Sequence, residues 1–280
     1  LVNLLAEKKE LDDLRVLARQ QIMNNYSIDK REKQLFNLGK MKIFNKLKAQ
    51  LTSNKYKVDI ERFSLDDNEK YSSNVLRIMN LLNYTKKSGA SYSGGQFNSG
   101  YHSFTIDGHE FKGQRNPRQR LEGVPFDFTN SSVIDFGCNQ GGMLFEIADK
   151  IKYGVGIDYD SKMINAANKL KSSGDTNNLD FYVFDLEREN LNYIKDFIKE
   201  GKIDVVFLLS ICMWIENWKE VITFIRKISS NLVFESNGSE EQQRDQINYL
   251  KSTFDKVQLI REKSDDDPSQ KNRQLYFCSV

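Results

Sequence analysis

The chain has 280 residues, 39% hydrophobic and 29% charged, with a formal net charge of +2. That length suits one large domain, or a domain with an appendage, and the composition excludes fibrous, low-complexity and disordered classes. No apolar run approaches a membrane span and the N-terminus lacks a secretory pattern; the three cysteines, Cys138, Cys212 and Cys278, are far apart and without metal-ligand spacing. They read as buried reduced thiols, so no metal and a cytoplasmic location are expected.

Residues 1–85 carry no strand pattern. Leu4, Leu11, Leu14, Ala18 and Ile22 fall at helical spacing, as do Leu35, Leu38, Phe44, Leu47 and Leu51, and then Val75, Ile78, Met79 and Leu82. Three amphipathic helices are expected, with Asp29 and Asp67 as starts. Within 1–60, thirteen Lys/Arg stand against seven acids. The interspersed acids favour a solvated helical face, with an RNA or anionic-surface contact as the alternative. The apolar faces serve equally well to cap the chain's own domain or to form a homodimer.

Residues 86–100, KKSGASYSGGQFNSG, read as a mobile connection of lid-like composition. Tyr101–Ile106 and Glu110–Lys112 flank Asp107-Gly108-His109 as a β-hairpin. Gly113-Gln114-Arg115-Asn116-Pro117 follows, with Asn116 as cap and Pro117 in the first helical turn. Arg115, Arg118 and Arg120 can fork onto a carboxylate or phosphate. His102 and His109 are the two histidines; His102, beside Tyr101, is the better proton acceptor.

From Val133 strands and helices alternate, which predicts a parallel sheet. Val133–Phe136 is a buried strand that ends in Gly137-Cys138-Asn139-Gln140-Gly141-Gly142 and passes into an apolar helix. Strand, glycine turn and helix form the first unit of a doubly wound sheet, with ligands where the turn opens. The next strand, Tyr153–Asp158, ends in an acid about 20 residues on, where a carboxylate takes ribose hydroxyls. Asn139 replaces the second glycine of a dinucleotide fingerprint, so no pyrophosphate is expected. A helix 161–171, a strand 179–186, a helix 190–200, a strand 203–210, a tryptophan-bearing loop 211–218, a helix 218–229, a strand 232–235, a helix 240–253 and a final strand pair, 256–262 and 273–280, complete the reading.

The run DFGCNQG, then GIDYD, with five parallel strands and a late strand pair, resembles the class I S-adenosylmethionine (SAM) methyltransferases. From Tyr101 to the C-terminus the chain is similar to them, and GQRNP, LLSICMWIENW and RQLY resemble three branches. These are the bicoid-interacting-protein type of RNA 5′-phosphate methyltransferases, the tRNA wobble-uridine carboxymethyl-transferring family and bacterial surface-glycan methyltransferases. The resemblance implies an α/β, Rossmann-like seven-stranded sheet with its last strand antiparallel, a helical appendage at 1–85, a lid and hairpin at 86–130, and a catalytic domain at 131–280. It implies a SAM-dependent O-methyltransferase, leaving S-adenosylhomocysteine (SAH), that acts on a small polar or glycan-type acceptor, phosphorylated ones included. An RNA modifier and a non-catalytic partner-binding scaffold are the alternatives.

For cofactor binding it implies Asp135, Gly137, Cys138 and Gly141 under the methionine part, Asp158 on the ribose and Tyr159 against the adenine. Asp185 and the Leu186 backbone would take the adenine edge, Gln114 or Arg115 the methionyl carboxylate, and Ser210 would end the strand beside the methyl. His102 and Glu235 are the candidate bases; Tyr101, Arg118 and Trp214 would face the acceptor. Residues 86–120 would close over the site.

Overall fold

The computed structural model describes residues 71–87, 89–174, 176–199, 201–264 and 272–280. The chain divides into two units, Leu1–Lys57 and Val58–Val280, and every described residue lies in the second. The first two expected helices and Asp29 and Asp67 fall outside the described residues, as does most of the acidic turn after Ser264.

The elements in chain order are α1 (Ser73–Thr85), β1 (Gly100–His102), β2 (Phe104–Ile106), β3 (His109–Phe111), β4 (Gly113–Arg115), α2 (Pro117–Leu121), β5 (Ser132–Phe136), α3 (Gly142–Glu146), β6 (Tyr153–Asp158) and α4 (Ser161–Lys171). There follow β7 (Leu179–Val183), β8 (Val205–Leu209), α5 (Trp218–Ile228), β9 (Asn231–Glu235), α6 (Glu240–Thr253), β10 (Lys256–Arg261) and β11 (Leu275–Ser279). The main sheet has seven strands in the order β10-β11-β9-β8-β5-β6-β7. β7 through β9 run parallel, while β11 is antiparallel to both β9 and β10. The order reverses at β5, so a crevice opens at its carboxyl end between β5 and β8.

β5 is buried on both faces, and its alternation divides the core. Ile134 and Phe136 pack on one side with α5 and the end of α6; Val133 packs on the other with Met143, Leu144, Ile164 and Ala167 of α3 and α4. A smaller cluster joins Val75, Ile78, Met79 and Leu82 of α1 to Phe104 and Phe111 of the β2–β3 hairpin and to Leu170. α1 therefore belongs with the sheet-bearing unit rather than with the N-terminal appendage to which the sequence assigned it. Its cap is Ser72, whose hydroxyl accepts from the Val75 N–H.

The segment ahead of the sheet departs from the expected hairpin. β2 and β3 pair through the positive-φ turn Asp107-Gly108, but Tyr101 and His102 sit on a separate strand, β1, parallel to β4. Gly113 permits this: a Cβ there would lie 2.2 Å from the His102 carbonyl carbon. The expected helix at 190–200 is instead a 3-10 run, Leu191–Phe197.

Candidate functional site

The glycine turn after β5 is held from three sides. Asp158, at the end of β6, accepts the Asn139 N–H on Oδ2 and the Asp160 N–H on Oδ1, both at 2.9 Å. Gly137 and Cys138 N–H groups both donate to the Ile157 carbonyl. At Gly141, with φ +78°, a Cβ would meet the Phe181 ring at 2.5 Å, so the chain enters α3 through a position only glycine fits. Cys138 is buried, and burial pushes its thiol well above the ordinary cysteine range; it packs and does not react.

Gln140, fully buried between these glycines, is the residue that the sequence reading passed over. Its amide nitrogen donates to the Thr85 hydroxyl and the Ser99 carbonyl, and its oxygen accepts from the His102 N–H. The turn is thereby tied to α1 and β1. Lys87 reaches Asp160 at 2.7 Å beside the Tyr159 ring, Tyr92 packs edge-on to Tyr101, and the Ser91 hydroxyl donates to Gln114 Oε1 at 2.8 Å. Lys87 thus fastens the segment ahead of β1 at the carboxyl end of β6.

At the carboxyl ends of β5, β8 and β9 a closed polar chamber forms. Glu235 Oε1 accepts from Arg115 Nη2 at 2.6 Å and Oε2 from Arg120 Nη2 at 2.7 Å, and the Ser210 hydroxyl also donates to Oε2. Arg115 also donates to the Ser264 hydroxyl. All five ionic and hydroxyl groups in that knot, together with His102 and Asp135, are buried. Although burial acts to raise the Glu235 pKa, Arg120 and Arg115 outweigh it and hold the carboxyl down at about 2. Glu235, expected as a candidate base, is held as the shared carboxylate of two arginines, an arrangement that leaves it little affinity for a proton.

His102 is buried, and desolvation, then Arg120 and Arg115, push its pKa well below the usual histidine value. That favours the neutral imidazole, which meets the Tyr101 ring edge-on at 4.7 Å, and neither ring nitrogen has a hydrogen-bond partner among the described residues. Burial raises Asp135 to about 7, and among the described residues its Oδ2 also lacks a partner, as does Arg120 Nε. Arg115 and Arg120 thus share the Glu235 carboxylate, with His102 and Asp135 buried alongside.

The remaining expected residues are dispersed. Tyr159 is 68% exposed and Trp214 is 69% exposed, both at strand ends on the crevice side of the sheet. Trp218 instead packs on Tyr249. Asp185 caps its own turn, its Oδ1 accepting from the Glu187 and Arg188 N–H groups, and the Leu186 carbonyl accepts from Asn217. Arg118 pairs with Glu146 at 3.0 Å on the surface and is not part of the chamber. His109 packs against Tyr71. Ser210, with φ +62°, opens the loop that carries Trp214, and Asn237 clamps that loop by donating to the Ser210 carbonyl and accepting from the Met213 N–H. No group of three or more metal-ligating side chains occurs among the described residues.

A cofactor with a ribose and an amino-acid end fits these residues. Each Asp158 oxygen accepts one N–H and keeps a lone pair for a hydroxyl. The Arg120 Nε donor suits a carboxylate, and Asp135 Oδ2 suits an ammonium. Residues 134–231 match the sequence model of a family described as "Methyltransferase domain". No curated protein matches the chain. Among solved structures, WbdD is 22% identical over 64% of this chain and 44% of its own, with a TM-score of 0.50. EvdMO1 is 11% identical over 76% of this chain and 50% of its own, with a TM-score of 0.51. The chain thus spans half or less of the length of either. The N-terminal domain of EvdMO1 with SAH bound is 10% identical, covers 64% of this chain and 90% of its own, and has a TM-score of 0.48. The chain has the α/β methyltransferase fold, and its residues 134–231 match a methyltransferase domain.

Proposed function

We propose that the chain is a SAM-dependent O-methyltransferase acting on a small polar or glycan-type acceptor, with phosphorylated acceptors favoured. The observation that carries this is the joint placement of the Asp158 end of β6 and the buried Arg115–Glu235–Arg120 knot at the carboxyl edge of the sheet. Asp158 would hold the ribose, Tyr159 the adenine face, and Gly137–Gly141 the methionine part from below. Arg115 and Arg120, kept in place by Glu235, would direct the methionyl carboxylate. When bound, the cofactor supplies an electrophilic methyl group on a sulfonium sulfur.

The protein's own part is then positioning, exclusion of water and management of charge at the acceptor oxygen. A neutral His102 with unpartnered nitrogens is ready to take a proton from an alcohol. Its conjugate acid would lie beside two guanidiniums, which weakens it as a base. The same arginines favour an acceptor oxygen that arrives already ionised, and so support the phosphorylated class. Trp214, exposed on a clamped loop, offers an aromatic face to the acceptor.

Calorimetry with SAM and SAH tests the reading. Both should bind the wild-type chain, and Asp158→Ala should weaken both while thermal unfolding stays cooperative. Failure of the wild type to bind either would remove the proposal.

A further inference from the structure

The β2–β3 hairpin, β4 and α2 enclose an open cleft of about 620 Å³ that is not part of the chamber around Glu235. Its lining combines the aromatic rings of Phe97 and Phe104 with the planar amides of Gln96 and Gln119. Amides donate and accept side by side, which matches neighbouring hydroxyls on a ring, while aromatic faces cover the ring's C–H surface. The ionic groups on the rim balance: Glu110 and Glu146 stand against Lys112 and Arg118, and Arg118 is already paired with Glu146. A cleft with no surplus charge has nothing to draw a polyphosphate or nucleic-acid backbone. Its volume lies within the range of small-molecule sites.

The cleft also shares a wall with the reacting centre. Gly113 and Gln114 of β4 line it, Gly113 lies against the His102 backbone, and the next residue, Arg115, is the one that enters the chamber to meet Glu235. Ser103, the residue after His102, lines the cleft as well.

We infer that this cleft is a saccharide-binding site that anchors the uncharged, non-reacting part of a glycan acceptor. The inference rests on the methyltransferase reading and extends it, dividing recognition between a neutral anchor and a charged reacting end. It assigns to Phe97 and Gln119, neither of which touches the chamber, a role in acceptor affinity.

The full chain, screened on an array of neutral oligosaccharides, should retain at least one of them. The double variant Phe97→Ala/Gln119→Ala changes a half-buried and an exposed position. It should lose that signal by about tenfold or more, the equivalent of one good contact, with SAH affinity by calorimetry unchanged. Retention of no neutral glycan, or retention indifferent to the double variant, overturns the inference while normal SAH binding leaves the enzyme reading standing. Loss of SAH binding in the wild type would overturn the enzyme reading and, with it, the acceptor role of the cleft.

Discussion

The two halves of the crevice are built by different means. On the β6 side, the cofactor turn is fixed by short-range geometry: positive-φ glycines, backbone bonds to Ile157, and one carboxylate 19 residues away from the N–H it accepts. On the β9 side, the chamber is fixed by side chains 115 and 120 residues apart that meet as ions. The first half is a property of the local chain, whereas the second exists only when the segment before β5 has docked on the finished sheet. The glycine turn presents a ligand with backbone and one carboxylate, and the ionic chamber presents it with charge.

Breaking the ionic half should have the largest effect. Glu235→Leu leaves two buried guanidiniums facing one another without their shared anion, a loss of about 3–5 kcal/mol in urea unfolding. An Arg115→Met/Arg120→Met/Glu235→Leu triple variant should recover much of it, because an apolar replacement of the whole knot removes the unpaired charge. If Glu235→Leu unfolds like wild type, the knot is not what holds the segment down.

The two carboxyls of the chamber should also separate by pH. Asp135 has a folded pKa of about 7, above its ordinary 3.8, so its contribution is fully present below 3.8 and lost as pH rises to 7. The size is about 4 kcal/mol at 1.36 kcal/mol per unit. Glu235, depressed from 4.5 to about 2, contributes above 4.5 and is lost as pH falls toward 2. Asp135→Asn should flatten the slope of stability between pH 4 and pH 7 while leaving the acid limb intact. Urea midpoints of wild type and variant at intervals across that range check the sign; a slope shared by both proteins would rule out Asp135 as its source.

What the sequence disclosed follows the same division. The order of elements from Ser132 onward, the β6 acid, the α2 cap at Asn116 and the antiparallel last strand were all legible, because turns, caps and hydrophobic period are written locally. Glu235 was visible as an acid at a strand end, but nothing local distinguishes a proton acceptor from the partner of two arginines more than a hundred residues upstream. Gln140 was hidden for a related reason: its amide acts on Thr85, Ser99 and His102, and a glutamine among glycines carries no period or motif. The parallel β1–β4 pairing escaped because the hairpin turn at Asp107-Gly108 was read as extending to Tyr101. Only the missing Cβ of Gly113 hinted at a close approach.

A smaller, more selective effect is expected at His102. His102→Ala should lower turnover by about a hundredfold for an alcohol acceptor, which needs a proton taken away, and leave a phosphate acceptor within a few-fold of wild type. SAM affinity, read by calorimetry, should stay constant in both cases. Equal losses with both acceptors would show that the imidazole shapes the chamber instead of accepting a proton.

The smallest change is predicted at the seam between the two halves. Lys87 joins the segment ahead of β1 to Asp160 through a pair whose lysine side chain is 44% exposed, so the pair is worth at most about 1 kcal/mol and weakens with salt. Lys87→Met should therefore move the urea midpoint little. The rate at which SAH leaves should nonetheless rise, because Lys87 ties this segment to Asp160 beside the Tyr159 ring at the end of β6, and opening it there requires breaking that pair. Stopped-flow displacement of SAH at low and high salt makes the measurement. A release rate that is faster in the variant at low salt, and that converges with wild type as salt is added, identifies residues 86–101 as a lid latched by one exposed ion pair. Identical rates at every salt concentration would mean that the segment is a fixed wall, held through Gln140 and the ionic knot, and that the cofactor leaves by another route.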